Sequence, residues 1–140
     1  MNKSNNGLSI EWFKNKSRGV IGSYALHLPN SNDIDLLFHI SDLSEIEHML
    51  KSYDIVYDLN DKYSGCNKLG NSKNLKVNID GVDLDLIFYE DVNDIDKLNE
   101  IIKMMNDMPT YIRSKFTKKQ YRISIFENLV RVALDIDSLI

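Results

Sequence analysis

Asp80-Gly81 joins two runs of alternating side chains, and this junction limits the fold more than any other feature of the chain. An Asp-Gly pair tolerates the positive φ angles of a two-residue hairpin turn, so Leu75–Ile79 and Val82–Tyr89 are expected as antiparallel neighbours. Along the second run, Val82, Leu84, Leu86 and Phe88 share one face, and Asp83, Asp85, Ile87 and Tyr89 share the other. Counting back from the turn sets Lys76 opposite Asp85. An earlier segment, Asp33–Ile40, has the same design: Ile34, Leu36, Phe38 and Ile40 on one face, Asp33, Asp35, Leu37 and His39 on the other. Both strands are expected to bury the apolar face against helices and to leave the aspartates on an open face.

The remaining elements follow from periodicity and punctuation. Leu8–Lys14 is expected as a short helix with Ile10 and Phe13 inward, leading into a strand near Gly19–Ile21. Tyr24–Leu28 suits one or two helical turns, stopped by Pro29. Asp42-Leu43-Ser44-Glu45 has the spacing of a capping box opening a helix that runs to about Tyr53. Asp54–Leu59 is expected as an edge strand, and residues 60–73 as a Gly/Asn/Ser-rich loop. The last third is expected to be helical. Ile95, Leu98, Ile102 and Met105 form one stripe that ends near Pro109. A final helix, capped by Thr117-Lys118-Lys119-Gln120, carries Ile125, Phe126, Leu129, Ala133 and Ile136 inward; Val130, Val132 and Leu139 lie outside that stripe, where burial against the sheet is the commoner role and a dimer or partner surface the alternative.

At 140 residues, with 43% hydrophobic and 27% charged side chains, the chain is expected to be one globular domain. Residues 1–8 are expected to be flexible and residues 91–140 to be a helical C-terminal part. The formal net charge of −4 disfavours a broad grip on nucleic acid, although Arg113, Lys115, Lys118, Lys119 and Arg122 form a local basic segment. No apolar run approaches the length of a bilayer span, and the polar N-terminus lacks a signal-peptide core. The single cysteine, Cys66, forms no intrachain disulfide. A cytoplasmic protein without membrane attachment is the simplest expectation.

The chemistry lies in the acids and in the turn before them. Asp33 and Asp35 fall about 7 Å apart along a strand. Neighbouring carboxylates repel unless a cation joins them, and an all-oxygen donor set favours Mg²⁺ or Mn²⁺ over zinc. Two such ions clamp the attacking and leaving oxygens of a phosphoryl displacement. Nine residues before Asp33, Gly22-Ser23 combines a residue that lets the backbone turn tightly with a hydroxyl at the start of a helix, where free N–H groups attract phosphate. A third carboxylate must come from the hairpin. Asp85, deeper in its strand, is preferred, with Asp83 as the alternative.

Each feature also has an ordinary explanation. Gly-Ser pairs are common, Asp33 and Asp35 suit the wet face of an edge strand, and Asp85 suits a cross-strand pair with Lys76. Their conjunction at this spacing favours the chemical reading. His39 lies about 20 Å along the strand from Asp33 and suits a surface role. His27 is near enough to touch a phosphate or base, and His48 belongs on the wet side of its helix. Residues from Asp58 onward resemble a calcium-binding EF-hand loop only superficially, because Tyr63 stands where glycine is required.

Ile21-Gly22-Ser23, Asp33-Ile34-Asp35-Leu36 and Leu84-Asp85-Leu86 together resemble the DNA polymerase β-type nucleotidyltransferase superfamily, especially its minimal stand-alone members. The resemblance covers about residues 9–90. It implies an α+β fold: a mixed or antiparallel sheet with helices packed on one face. It also implies two divalent ions, Mg²⁺ or Mn²⁺, and transfer of a nucleoside monophosphate from a triphosphate, ATP being the expected donor, to a hydroxyl with release of pyrophosphate. Carried over by position, Asp33, Asp35 and Asp85 would be metal ligands, with Asp85 also the base, and Gly22 and Ser23 would hold the triphosphate. The acceptor implied is a protein (a toxin-like partner among them), a tRNA end or a small molecule. Minimal members place an arginine just after Gly-Ser; here Tyr24-Ala25-Leu26-His27-Leu28 stands instead, so the neutralising cation must come from Arg18, Lys68, Lys73 or Lys76. This departure supports an alternative: a catalytically weak nucleotide-binding regulatory or antitoxin-like module.

Overall fold

The computed structural model describes residues 8–29, 31–61 and 69–139. The N-terminal stretch expected to be flexible lies, apart from Leu8, outside them, as do Cys66, Lys68 and half of the Gly/Asn/Ser-rich loop. Among the described residues five strands form one sheet: β1 (Gly19–Ile21), β2 (Asp33–His39), β3 (Tyr57–Asn60), β4 (Ser72–Ile79) and β5 (Val82–Tyr89), in the spatial order β1-β2-β5-β4-β3. Only β2 and β5 run parallel; the other neighbours are antiparallel. The sheet is therefore mixed and the fold is α+β, as expected. Asp80 and Gly81 adopt φ of 53° and 84°, and the hairpin register pairs Lys76 with Asp85.

The helices are α1 (Ile10–Lys16), α2 (Gly22–Ala25), α3 (Leu43–Ser52), α4 (Val92–Asn106), α5 (Thr110–Arg113) and α6 (Lys119–Ser138). They cover both faces of the sheet, which corrects the expectation of helices on one face. On one side Leu36, Phe38, Leu86 and Phe88 pack with Phe13 of α1 and with Ile46 and Leu50 of α3. The Phe38 and Phe88 rings, register partners on adjacent strands, stack with centroids 5.3 Å apart. On the other side Leu37, Ile87 and Tyr89 pack with Ile95, Leu98 and Ile102 of α4 and Val130 of α6. The reason is that β2 and β5 change character along their length. Their acid-bearing face is polar only at the N-terminal ends, Asp33/Asp35 and Asp83/Asp85; further on it becomes apolar and must be covered.

Local details also differ. The Ser9 side chain accepts from the Trp12 N–H at 3.2 Å and starts α1 two residues later than expected. The expected box at Asp42/Glu45 is replaced by one formed by His39 and Asp42 around a short 3₁₀ turn, Ile40–Asp42, which feeds directly into α3. Thr117 caps nothing in α6: its hydroxyl donates to the Ser114 carbonyl, closing the preceding 3₁₀ turn.

Val130, outside the expected inward stripe, is fully buried, the commoner of its two expected roles, whereas Ile136, within that stripe, is 54% exposed. The packing partner decides this. α6 lies against α4, and beyond Leu134 the contact is continued by an ion pair between Lys97 and Asp137 at 2.5 Å. Asp137→Ala is expected to lower stability by about 0.5–1 kcal/mol in urea denaturation, the usual size for a largely solvated pair. A loss several times larger would mean that this contact, and not the apolar face, holds the last helix.

Candidate active site

Register brings the acids together. In the parallel β2–β5 pair Asp33 aligns with Asp83 and Asp35 with Asp85. Parallel partners project from the same face of strands about 4.8 Å apart. Asp35 and Asp85 are half-buried, whereas Asp33 and Asp83 are exposed. Burial raises the Asp35 pKa from 3.8 to about 7, helped by the negative charges of Asp85 and Asp33 and by a side-chain hydrogen bond to Asp85; Lys76 acts in the opposite sense. Two carboxyl groups thus meet at one place, and at neutral pH their contact needs a proton or a cation between them.

The Gly22 turn closes on the same spot. Ile21, the last residue of β1, pairs with Asp35, so the chain turns into α2 just beyond that carboxylate. Gly22 has φ +79°, and a Cβ built on it would lie 2.2 Å from Asp35 Oδ2. Only glycine allows this approach. Ser23 follows in the first turn of α2 and is half-buried. Helix α4 holds the turn in place from behind: Asn99 Nδ2 donates to the Arg18 carbonyl at 2.9 Å and Asn106 Nδ2 to the Ala25 carbonyl at 3.0 Å. Gly19 lets this happen, since a Cβ there would fall 1.9 Å from Asn99 Oδ1.

Of the two hairpin acids left open by sequence, Asp85 is the one beside Asp35. Asp83 is drawn into the turn, accepting from Asn78 Nδ2 at 2.9 Å while Asn78 Oδ1 accepts from the Gly81 N–H at 3.1 Å. Asp33, Asp83, Asp85 and Lys76 line a cleft of about 270 Å³. Asp33 stands on its exposed flank and acts on Asp35 through its charge. Among the described residues no three His, Cys, Asp or Glu side chains are gathered into a ready-made metal cage.

The other candidates separate cleanly. Of the four expected cations, Lys76 alone among the described residues stands by the acids. Arg18 bonds to Asp42 at 3.4 Å and Lys73 to Asp61 at 3.7 Å. Both lie near the opposite ends of β2 and β5, as their alignment with Leu37 and Phe88 shows. Lys68 is outside the described residues.

His27 is exposed, with φ 58°, and lines a different cleft with Tyr24, Leu28 and Ser31. His39 is occupied structurally, its ring nitrogens meeting Ser41 Oγ and the Glu90 carbonyl. His48 is exposed, as expected for the wet side of α3. In the basic segment, Arg113 and Arg122 donate to the Met108 and Phe116 carbonyls, so two of its cations brace the backbone. The EF-hand comparison fails for the described part, because residues 57–60 are strand; Tyr63 lies outside it.

Sequence reasoning missed Asn74. Its side chain is 4% exposed, and Nδ2 donates to Asp85 Oδ1 at 2.5 Å and to the Leu86 carbonyl at 3.3 Å. A signal existed: counting from Asp80-Gly81, Asn74 falls on the same face as Lys76 and one step further along, diagonal to Asp85. No described helix is long and apolar enough to cross a membrane. Comparison with protein-family models, with characterised proteins and with solved structures finds no match.

Proposed function

We propose that this chain is a metal-dependent nucleotidyltransferase of the DNA polymerase β type, transferring a nucleoside monophosphate from a triphosphate, with ATP as the expected donor, to an acceptor hydroxyl. The observation that carries the reading is the contact between Asp35 and Asp85 on adjacent parallel strands, with the Gly22 backbone against Asp35. A half-buried pair of carboxylates costs stability, and a site retains such a cost where a ligand relieves it.

The donor set suits a hard divalent ion: oxygens alone, from Asp35 and Asp85, with Asp33 on the flank. These three side chains would hold Mg²⁺ or Mn²⁺, which when bound supplies charge neutralisation and alignment of the reacting oxygens. The chain's own groups do the rest. Backbone N–H groups at Gly22 and Ser23 receive the β- and γ-phosphates, and Lys76 adds a positive charge beside the acids. Asp85 accepts the proton of the acceptor hydroxyl; the acceptor oxygen bonds to the α-phosphorus, the bond to the β-phosphate bridge breaks, and pyrophosphate leaves. The acceptor is a hydroxyl of a protein, an RNA end or a small molecule.

One observation favours a second reading, a nucleotide-binding regulatory or antitoxin-like module that performs no transfer. Arg18 and Lys73, two of the cations needed to offset the missing arginine, are engaged elsewhere. Incubation with α-labelled ATP and Mg²⁺, against a chelated control, separates the two readings. Labelled acceptor with stoichiometric pyrophosphate, lost on chelation, is the expected result. Saturable nucleotide binding with no label transferred to protein, tRNA or small hydroxyl acceptors would establish the second reading instead.

A further inference from the structure

We infer that Asn74 is a positioning residue that fixes the Asp85 carboxylate toward Asp35; this rests on reading Asp35 and Asp85 as the metal site. Asn74 lies on β4, across the strand boundary from β5, and its amide is almost wholly removed from water. Asn74 shares its face of β4 with Lys76 and pairs with Ile87, and a buried amide there is costly unless its hydrogens are used. Both uses are on β5: Asp85 Oδ1 and the Leu86 carbonyl. The second bond locks the amide plane to the backbone of the strand that carries Asp85, so the first bond locks the carboxylate.

This arrangement gives the two acids different jobs. Asp85 Oδ1 is tied down by a charge-assisted hydrogen bond, leaving Oδ2 as the oxygen without that donor. Asp35 has its own constraint, the Gly22 backbone against Oδ2. Asp85 therefore has one oxygen held by a side-chain donor, while Asp35 is bounded sterically by the turn. Donors that hold ligating carboxylates in this way usually change metal affinity or activity by roughly 10–100-fold when removed.

The test uses the full chain and Mn²⁺ alone, with free Mn²⁺ read by electron paramagnetic resonance, followed by the transfer assay. Asn74→Leu keeps the volume and removes the donor. It is expected to remain folded and to bind Mn²⁺ roughly 10–100-fold more weakly. Its kcat should fall while KM for ATP stays close to wild type, because the triphosphate is held at Gly22 and Ser23. Asn74→Ser, with a smaller donor, should lie between the two; it carries the same comparison if the leucine variant does not fold. Folded variants with wild-type Mn²⁺ affinity and wild-type kcat would overturn the inference and leave the transferase reading standing. A wild-type chain that binds Mn²⁺ but transfers nothing would end the transferase reading, while the Mn²⁺ comparison would still decide the role of Asn74.

Discussion

Asp35→Asn is expected to abolish transfer and, in metal-free buffer, to make the protein more stable above neutral pH. Loss of a central carboxylate should lower the rate about a thousandfold or more, since metal-assisted charge stabilisation is worth several kcal/mol. The stability gain follows from the proton balance. In the folded chain Asp35 keeps its proton to about pH 7, against an ordinary value of 3.8. Between those two values the folded state holds a proton that the unfolded state has released. Stability therefore falls as pH rises through that window and levels off above it. The full cost of ionising Asp35 in place is up to about 4 kcal/mol.

Asparagine is neutral at every pH, so the variant should lack this slope, gaining about 1–3 kcal/mol over wild type at pH 8 and almost nothing at pH 4. Urea denaturation at the two pH values is the measurement, and parallel wild-type and variant curves would refute the expectation. Millimolar Mg²⁺ or Mn²⁺ should raise the wild-type midpoint at pH 8 and leave the variant unmoved, because only the wild type binds the ion more tightly when folded.

Gly22→Ala should be the most damaging single methyl group in the chain. A φ of +79° is strained for alanine, and the new Cβ would meet Asp35 Oδ2 at 2.2 Å. The carboxylate has little room to withdraw, with Asp85 on its other side and the face beyond it already packed by Leu37 and Ile87. Either the turn moves or Asp35 rotates out of its contact. A stability loss of about 2–4 kcal/mol and a rate loss of about a hundredfold are expected.

Gly19→Ala is the natural comparison. Its Cβ meets only the end of the Asn99 side chain, which is free to rotate away at the cost of one hydrogen bond to Arg18. Combining Gly22→Ala with Asp35→Asn in a double-mutant cycle should reveal a coupling of about 1 kcal/mol or more. Strict additivity would mean that turn and carboxylate do not press on each other in solution.

Much of the site was legible because its parts are local. The spacing from Gly22-Ser23 to Asp33 and Asp35, the alternation along β2 and β5, and the two-residue turn at Asp80-Gly81 all act within a few residues. They were enough to name the acids and to set Lys76 opposite Asp85. Depth in the strand was enough to prefer Asp85 over Asp83 but not to exclude Asp83: both lie on the same face of one strand, and only the register of β5 against β2 shows which meets Asp35. The helix caps were misjudged for a related reason. Asp42 and Thr117 have the right side chains for their expected roles, but the chain enters α3 and α6 through 3₁₀ turns that use those side chains earlier.

The order of residues in this chain determined which faces of its strands are apolar, where the backbone reverses at a glycine, and which acids share a side. Periodicity and turn chemistry operate over short distances, so they survive in sequence form. The fold alone decided that the acid-bearing side is covered by α4 and α6 over half its length, that Val130 and not Ile136 is buried, and that Asn74 reaches Asp85. Each of these depends on which segments become neighbours across the sheet. Burial, proton affinity and side-chain clamping belong to that juxtaposition, and no single stretch of the chain contains it.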